Sequence, residues 1–161
     1  MLKGSILFIL LATSSPVFDQ GVRPQAADSS IYPRLVHAEV PSYPPVPWTV
    51  RFGGTLEIEV TITNGIVVDA HVLNGTLESE KGSSKVFTQA ETEKLLPYLE
   101  YPSLKNVKTW EFMSQVNTNI VVTYIYGIEG EETLTPENPK VELELPYKVK
   151  IIARPCKPTS S

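Results

Sequence analysis

The clearest feature of the chain is an alternation of apolar and polar residues that runs up to a two-residue turn signal. The apolar positions before the turn are Leu56, Ile58, Val60 and Ile62. Such a period of two is expected when one face of a strand is buried and the other is wet. Asn64 and Gly65 follow, and both residues readily adopt the positive φ of a type I′ turn. The positions that alternate after the turn are Ile66, Val68, Ala70 and Val72. The pattern predicts a β-hairpin.

A change to good helix formers follows a polar loop. Residues 87–96 predict a helix, with Thr88 as its N-cap and Glu91 completing a capping box. Pro97 is expected to end or kink this helix. Pro102 suits the first turn of a second short helix over residues 103–108.

Two further β-rich runs follow the helical region. Residues 119–128 are rich in β-branched and aromatic side chains and predict a third strand. Residues 141–153 alternate again and predict a fourth strand. Pro146 cannot donate a ladder hydrogen bond, so we expect a bulge or an edge position for that strand.

The amino-terminal residues are typical of an export signal. Lys3 precedes an apolar run over residues 6–12, and small residues follow it. The run is shorter than the roughly 20 apolar residues that a membrane-spanning helix needs. We therefore expect a signal peptide over residues 1–18, no transmembrane segment in the mature chain, and a periplasmic or secreted protein. An uncleaved short anchor is the alternative.

Proline spacing and composition divide the remainder. Residues 19–47 are punctuated by prolines and predict extended chain, residues 48–153 form the expected domain, and residues 154–161 a flexible tail. The 161 residues carry a formal net charge of −4 and a single cysteine, Cys156. A disulfide scaffold is therefore excluded, and no nucleic-acid partner is expected, because the chain has no basic field.

No group of residues predicts chemistry. His37 and His71 are the only histidines, and neither has a carboxylate or second histidine at metal-ligand spacing. No serine or cysteine is accompanied by a base and an orienting group. Trp110 and Phe112 are expected to be core anchors between helix and sheet. We therefore predict no catalytic residue, no cofactor, no metal and no enzymatic activity.

The order of hairpin, helix, Trp-x-Phe and strand resembles the C-terminal domain of TonB, the periplasmic energy transducer. The resemblance covers roughly residues 41–128. The positions that carry it are Tyr43, Pro44, Gly54, Asn64, Gly65, Trp110 and Phe112. It implies a small antiparallel sheet with helical cover on one face, and partner binding by strand addition.

The expected fold is therefore α+β: a small antiparallel sheet made of the β-hairpin, one or two short helices, a third strand and an extra C-terminal fourth strand. The resemblance implies that an outer-membrane receptor segment adds to the edge of the third strand. The candidate partner-binding residues are Asn119, Val121, Thr123 and Ile125. We also expect the fourth strand to pair with this edge within the same chain. The protein is expected to be a monomer or a homodimer.

The sequence departs from the family pattern in several ways. A TonB transducer has a membrane helix and a spacer of Lys-Pro or Glu-Pro repeats, and neither is found in this sequence. In addition, Pro45 and Pro47 are expected to interrupt the helical segment that usually follows Tyr-Pro. Two other functions stay open. One is a small secreted hydrolase or hydrolase accessory without a recognisable motif, and the other is a structural β-domain that oligomerises through its sheet edge.

Overall fold

Backbone hydrogen bonds join seven strands into one mixed sheet in this computed structural model, which describes residues 33–135 and 137–157. The strands are β1 (Leu35–His37), β2 (Phe52–Thr63), β3 (Ile66–Ser79), β4 (Glu111–Phe112), β5 (Thr118–Ile128), β6 (Lys140–Glu144) and β7 (Lys148–Ala153). The helices are α1 (Pro45–Val50), α2 (Gln89–Leu95) and α3 (Pro97–Val107). The strand order is β1-β4-β3-β2-β5-β7-β6.

The prediction of a small antiparallel sheet of four strands is wrong. β5 and β7 are parallel, so the sheet is mixed, and β1 and β4 extend it beyond the predicted strands. The prediction missed β1 and β4 because strands of three and two residues show no readable alternation.

The predicted hairpin is confirmed, but its inner face differs. Asn64 and Gly65 have φ of 51° and 79°, as a type I′ turn requires. The register skips one residue of β3 at Val68 and another at Leu73. Each of these bulges moves the alternation by one residue, so both bulged side chains are more than half exposed.

The predicted fourth strand is two strands. β6 and β7 pair antiparallel, with the segment 145–147 as the turn between them. Pro146 therefore lies in the turn and not in a bulge or edge position. A turn residue needs no N–H for the hydrogen bonds between strands, so a proline fits there.

The helices form where the sequence places their caps. Thr88 and Glu91 make both hydrogen bonds of the predicted capping box, so the box is confirmed. The second helix is longer than expected. It begins at Pro97, a position at which the helix makes no use of the backbone N–H that proline lacks, and it contains Pro102.

The proline-rich region enters the folded unit earlier than residue 48. β1 pairs with β4, and Tyr43 is buried. Pro45 and Pro47 do not prevent helix α1, because the first four N–H groups of a helix have no partner within it. The first helical bond joins the Trp48 N–H to the Pro44 carbonyl at 3.2 Å.

The core lies between the helices and one face of the sheet. β2, β5 and β7 supply fully or almost fully buried residues at every second position, and Leu99 and Val107 of α3 pack against them. The predicted signal peptide lies outside the described residues. None of the described helices has the length and apolar character needed to span a bilayer.

Candidate functional site

The candidate strand β5 is an interior strand of the sheet. β2 pairs with it antiparallel from Thr118 to Tyr126, and β7 pairs with it parallel from Thr123 to Ile128. The Thr123 N–H donates to the Tyr147 carbonyl at 2.8 Å, where β7 begins. The expectation that the C-terminal strand pairs with the third strand is confirmed.

β7 divides the four predicted partner-binding residues into two pairs. Thr123 and Ile125 lie opposite Lys148 and Lys150, so β7 occupies their edge, as expected for a C-terminal strand that pairs with it. The reason is that the C-terminal segment competes for this edge from within the same chain. Asn119 and Val121 precede the start of β7, and their only strand partner among the described residues is β2.

The free stretch of β5, residues 118–122, presents backbone groups to the side that β7 leaves open. The Thr123 N–H points toward β7, and alternate residues of a strand direct their backbone groups to the same side. The N–H and carbonyl groups of Asn119 and Val121 therefore point to this free side. Both side chains are exposed on the outer face of the sheet.

The inner face of β5 packs among buried aromatic rings. Trp110 is 1% exposed, and its ring centroid lies 6.4 Å from that of Tyr124 and 6.5 Å from that of Phe112. The prediction that Trp110 and Phe112 are core anchors is confirmed by their burial. The Nε1 of Trp110 has no hydrogen-bond partner among the described residues.

Buried hydroxyl groups connect β5 to α3. The Tyr124 hydroxyl donates to the Asn106 Oδ1 at 2.7 Å. Ser103 Oγ gives its proton to the Leu99 carbonyl and lies 2.8 Å from the Tyr126 hydroxyl, which therefore donates to it. Burial raises the pKa of Tyr126 to about 12, so the phenol stays neutral and acts as a structural donor.

The remaining signature residues have structural roles. The Tyr43 hydroxyl donates to the Phe52 carbonyl at 2.9 Å. Pro44 precedes the first turn of α1 as its N-cap. A Cβ atom at Gly54 would lie 2.0 Å from the Thr76 carbonyl oxygen, so only glycine fits there.

On the outer face of the sheet, the side chain of His71 lies near two carboxylates. His71 Nε2 lies 3.3 Å from Glu59 Oε2, and His71 Nδ1 lies 3.7 Å from Asp69 Oδ2. Sequence reasoning missed this contact, because an unbulged hairpin would place Ala70 opposite Glu59. The bulge at Val68 moves His71 into that position. Within residues 33–135 and 137–157, no three acidic, histidine or cysteine side chains are arranged to hold a metal ion.

An apolar groove between α1 and α3 was also missed. It has a volume of about 450 Å³. Its lining includes Tyr98 and Tyr101, which are 45% and 73% exposed, and several prolines. The available signal was the i, i+3 spacing of the two tyrosines between Pro97 and Pro102, which places both rings on one side of a helix.

Comparisons of the chain with protein-family models, curated proteins and solved structures found no match.

Proposed function

We propose that this chain is an exported protein-interaction domain of the TonB C-terminal type, which binds an extended segment of a partner by strand addition to β5. The observation that carries the proposal is the pairing of β5. This strand already accepts an added parallel strand along residues 123–128 and keeps residues 118–122 free on the same side. Main-chain hydrogen bonds supply the affinity in this mode, and side chains at alternate positions select the partner.

Among the longer strands, β5 is better suited to strand addition than β3. β3 pairs with β4 at Ile66 alone, so most of its outer edge is open in the described part of the chain. Its bulges at Val68 and Leu73 interrupt the ladder that an added strand would need. The register of β5 with β2 has no such interruption.

The family resemblance suggests the partner. In this proposal it is a segment of an outer-membrane receptor, the chain acts in the periplasm, and binding relates to energy transduction. The outer face beside the free stretch carries Val121, which is 44% exposed and lies opposite Glu59 of β2. An apolar or β-branched side chain of the partner would pack best beside Val121.

β7 limits what the full chain binds. A partner finds only residues 118–122 free unless β7 leaves, and an intramolecular strand competes at a high effective concentration. The full chain is therefore expected to bind an extended peptide weakly. Truncation after Gly130 removes β6 and β7 and frees the whole edge of β5.

Calorimetric titration of both forms tests this proposal. The probe is a peptide with the sequence of residues 147–154, because that segment has a known register on β5. We expect the truncated form to bind at least about tenfold more tightly than the full chain. Tight binding by the full chain without a gain on truncation, or no binding by either form, would overturn the proposal.

A second measurement uses the full chain, so it does not depend on the folding of the truncated form. The probe here is an extended valine-rich peptide, because β-branched side chains would pack beside Val121. The amides of Asn119 and Val121 should exchange quickly in the free protein and become protected when this peptide pairs with residues 118–122. Val121→Pro removes one N–H from the free side and should weaken binding, while the matched control Val121→Thr keeps the N–H and the branched Cβ. Equal affinities for the two variants would contradict the proposed site.

A further inference from the structure

β6, the last strand of the sheet, has an open edge in the described part of the chain. Its one strand neighbour among the described residues is β7. This edge lies two strands away from β5, so an inference about it is independent of the proposed partner site. β6 is five residues long, Lys140–Glu144, and has no bulge in its register with β7.

The backbone of β6 directs two residues outward. The Glu144 carbonyl accepts a hydrogen bond from the Tyr147 N–H at 3.0 Å, so Glu144 faces the β7 side of the strand. By alternation, Glu142 and Lys140 face the same side, and Val141 and Leu143 point their N–H and carbonyl groups to the free edge. Two residues of this kind can form four hydrogen bonds with an added antiparallel strand.

The side chains of β6 are complementary to themselves. In an antiparallel pair of two copies centred on Glu142, Lys140 of each copy lies opposite Glu144 of the other. Val141 lies opposite Leu143 on the inner face, where Leu143 is 42% exposed and Val141 is half-buried. Oppositely charged and apolar cross-strand pairs both stabilise a sheet. A parallel pair would instead place Lys140 beside Lys140 and Glu144 beside Glu144.

The central residue is compatible with this arrangement. Two Glu142 side chains would meet at the symmetry axis, and like charges repel. Each carboxylate already lies 2.6 Å from Lys140 Nζ and 3.9 Å from Lys150 Nζ of its own chain. The hydrogen bond from Lys140 lowers the pKa of Glu142, as expected for a compensated carboxylate.

We propose that β6 pairs antiparallel with β6 of a second copy of this chain, so that two sheets join into one through a symmetric dimer. A lysine on an edge strand usually opposes such pairing, because lysine meets lysine or an apolar side chain. Here the lysine and the glutamate lie at opposite ends of the strand, so a two-fold axis brings them together. The contact is small, and the dimer is weak and reversible.

Two charge reversals test the proposal with the full chain. Lys140→Glu places glutamate opposite Glu144 in both halves of the dimer, and Glu144→Lys places lysine opposite Lys140. Each single variant should therefore dimerise about tenfold more weakly than the wild type. Mixed together, the two variants form a complementary pair with both contacts restored, so the mixture should dimerise as the wild type does.

Sedimentation equilibrium supplies the measurement, over a range of about 10 μM to about 1 mM that brackets the affinities of small interfaces. Unchanged unfolding curves verify that the variants are folded, since both positions are exposed. Three results would each overturn the proposal. They are a wild type that stays monomeric throughout, single variants that dimerise like the wild type, and a mixture that associates no better than its components.

Discussion

The two hairpins that flank β5 differ in how they are held. The β2–β3 hairpin has strands of 12 and 14 residues, and the inner residues of β2 are buried to 2% exposure or less. The β6–β7 hairpin has strands of 5 and 6 residues, of which only β7 has a fully buried inner face. The first hairpin is part of the core. The second is attached to β5 by one strand, so its outer strand remains available for other contacts.

The largest expected effect lies in the core beneath the first hairpin. Trp110→Ala should lower the free energy of unfolding by roughly 3 to 5 kcal/mol, because it deletes a large buried aromatic side chain. Urea unfolding measures the change. Met113→Ala, three residues away and 43% exposed, is the control and should have little effect. A loss below about 1 kcal/mol for Trp110→Ala would show that the Trp110 ring does not stabilise the hydrophobic core.

In the second hairpin, substitutions in β7 should destabilise the protein more than substitutions in β6. Ile151 of β7 is 0% exposed, and Leu143 of β6 is 42% exposed, although both face inward. Ile151→Ala should therefore cost about 2 to 5 kcal/mol, and Leu143→Ala about 1 kcal/mol or less. Thermal unfolding in dilute solution, where the chain is monomeric, checks both. Equal losses would mean that β6 is as much a part of the core as β7.

The turn of the first hairpin should show a smaller effect. Gly65 has a φ of 79°, and a Cβ atom there would lie 2.5 Å from the Phe112 carbonyl oxygen. Gly65→Ala should cost about 1 to 3 kcal/mol, because it adds a steric clash to a left-handed backbone. Gly82 is the matched control, since its φ is 95° but a Cβ atom would meet nothing within 4 Å. If Gly65→Ala and Gly82→Ala shift the denaturant midpoint equally, local movement relieves the clash at Gly65.

Some parts of the fold could be predicted because their cause is local. The Asn64–Gly65 turn and the Thr88–Glu91 capping box each depend on residues a few positions apart. The bulges of β3 could not be predicted in this way. Val67 and Val68 are both apolar, so either could face inward, and in the folded chain it is Val67 that packs against the core.

The candidate site shows the same division. The position of β5 as a β-rich run was readable, as was the capacity of the C-terminal segment to pair with it. The sequence did not reveal that this segment forms a hairpin, that β7 joins β5 in parallel, or that β7 begins opposite Thr123 and leaves residues 118–122 free. Those features depend on where the chain re-enters the sheet after β5, which no local pattern of residues determines.

By itself, the sequence determined the long hairpin with its turn, the capped helix, the buried aromatic anchors and the strand character of β5. Each of these follows from side-chain periodicity or from contacts between near neighbours in the chain. The tertiary structure alone decided the strand order, the direction of β7, the bulges of β3 and the exposure of the edges at β5 and β6. These depend on which of several compatible strands pair and bury the most apolar surface, and that choice involves residues far apart in sequence.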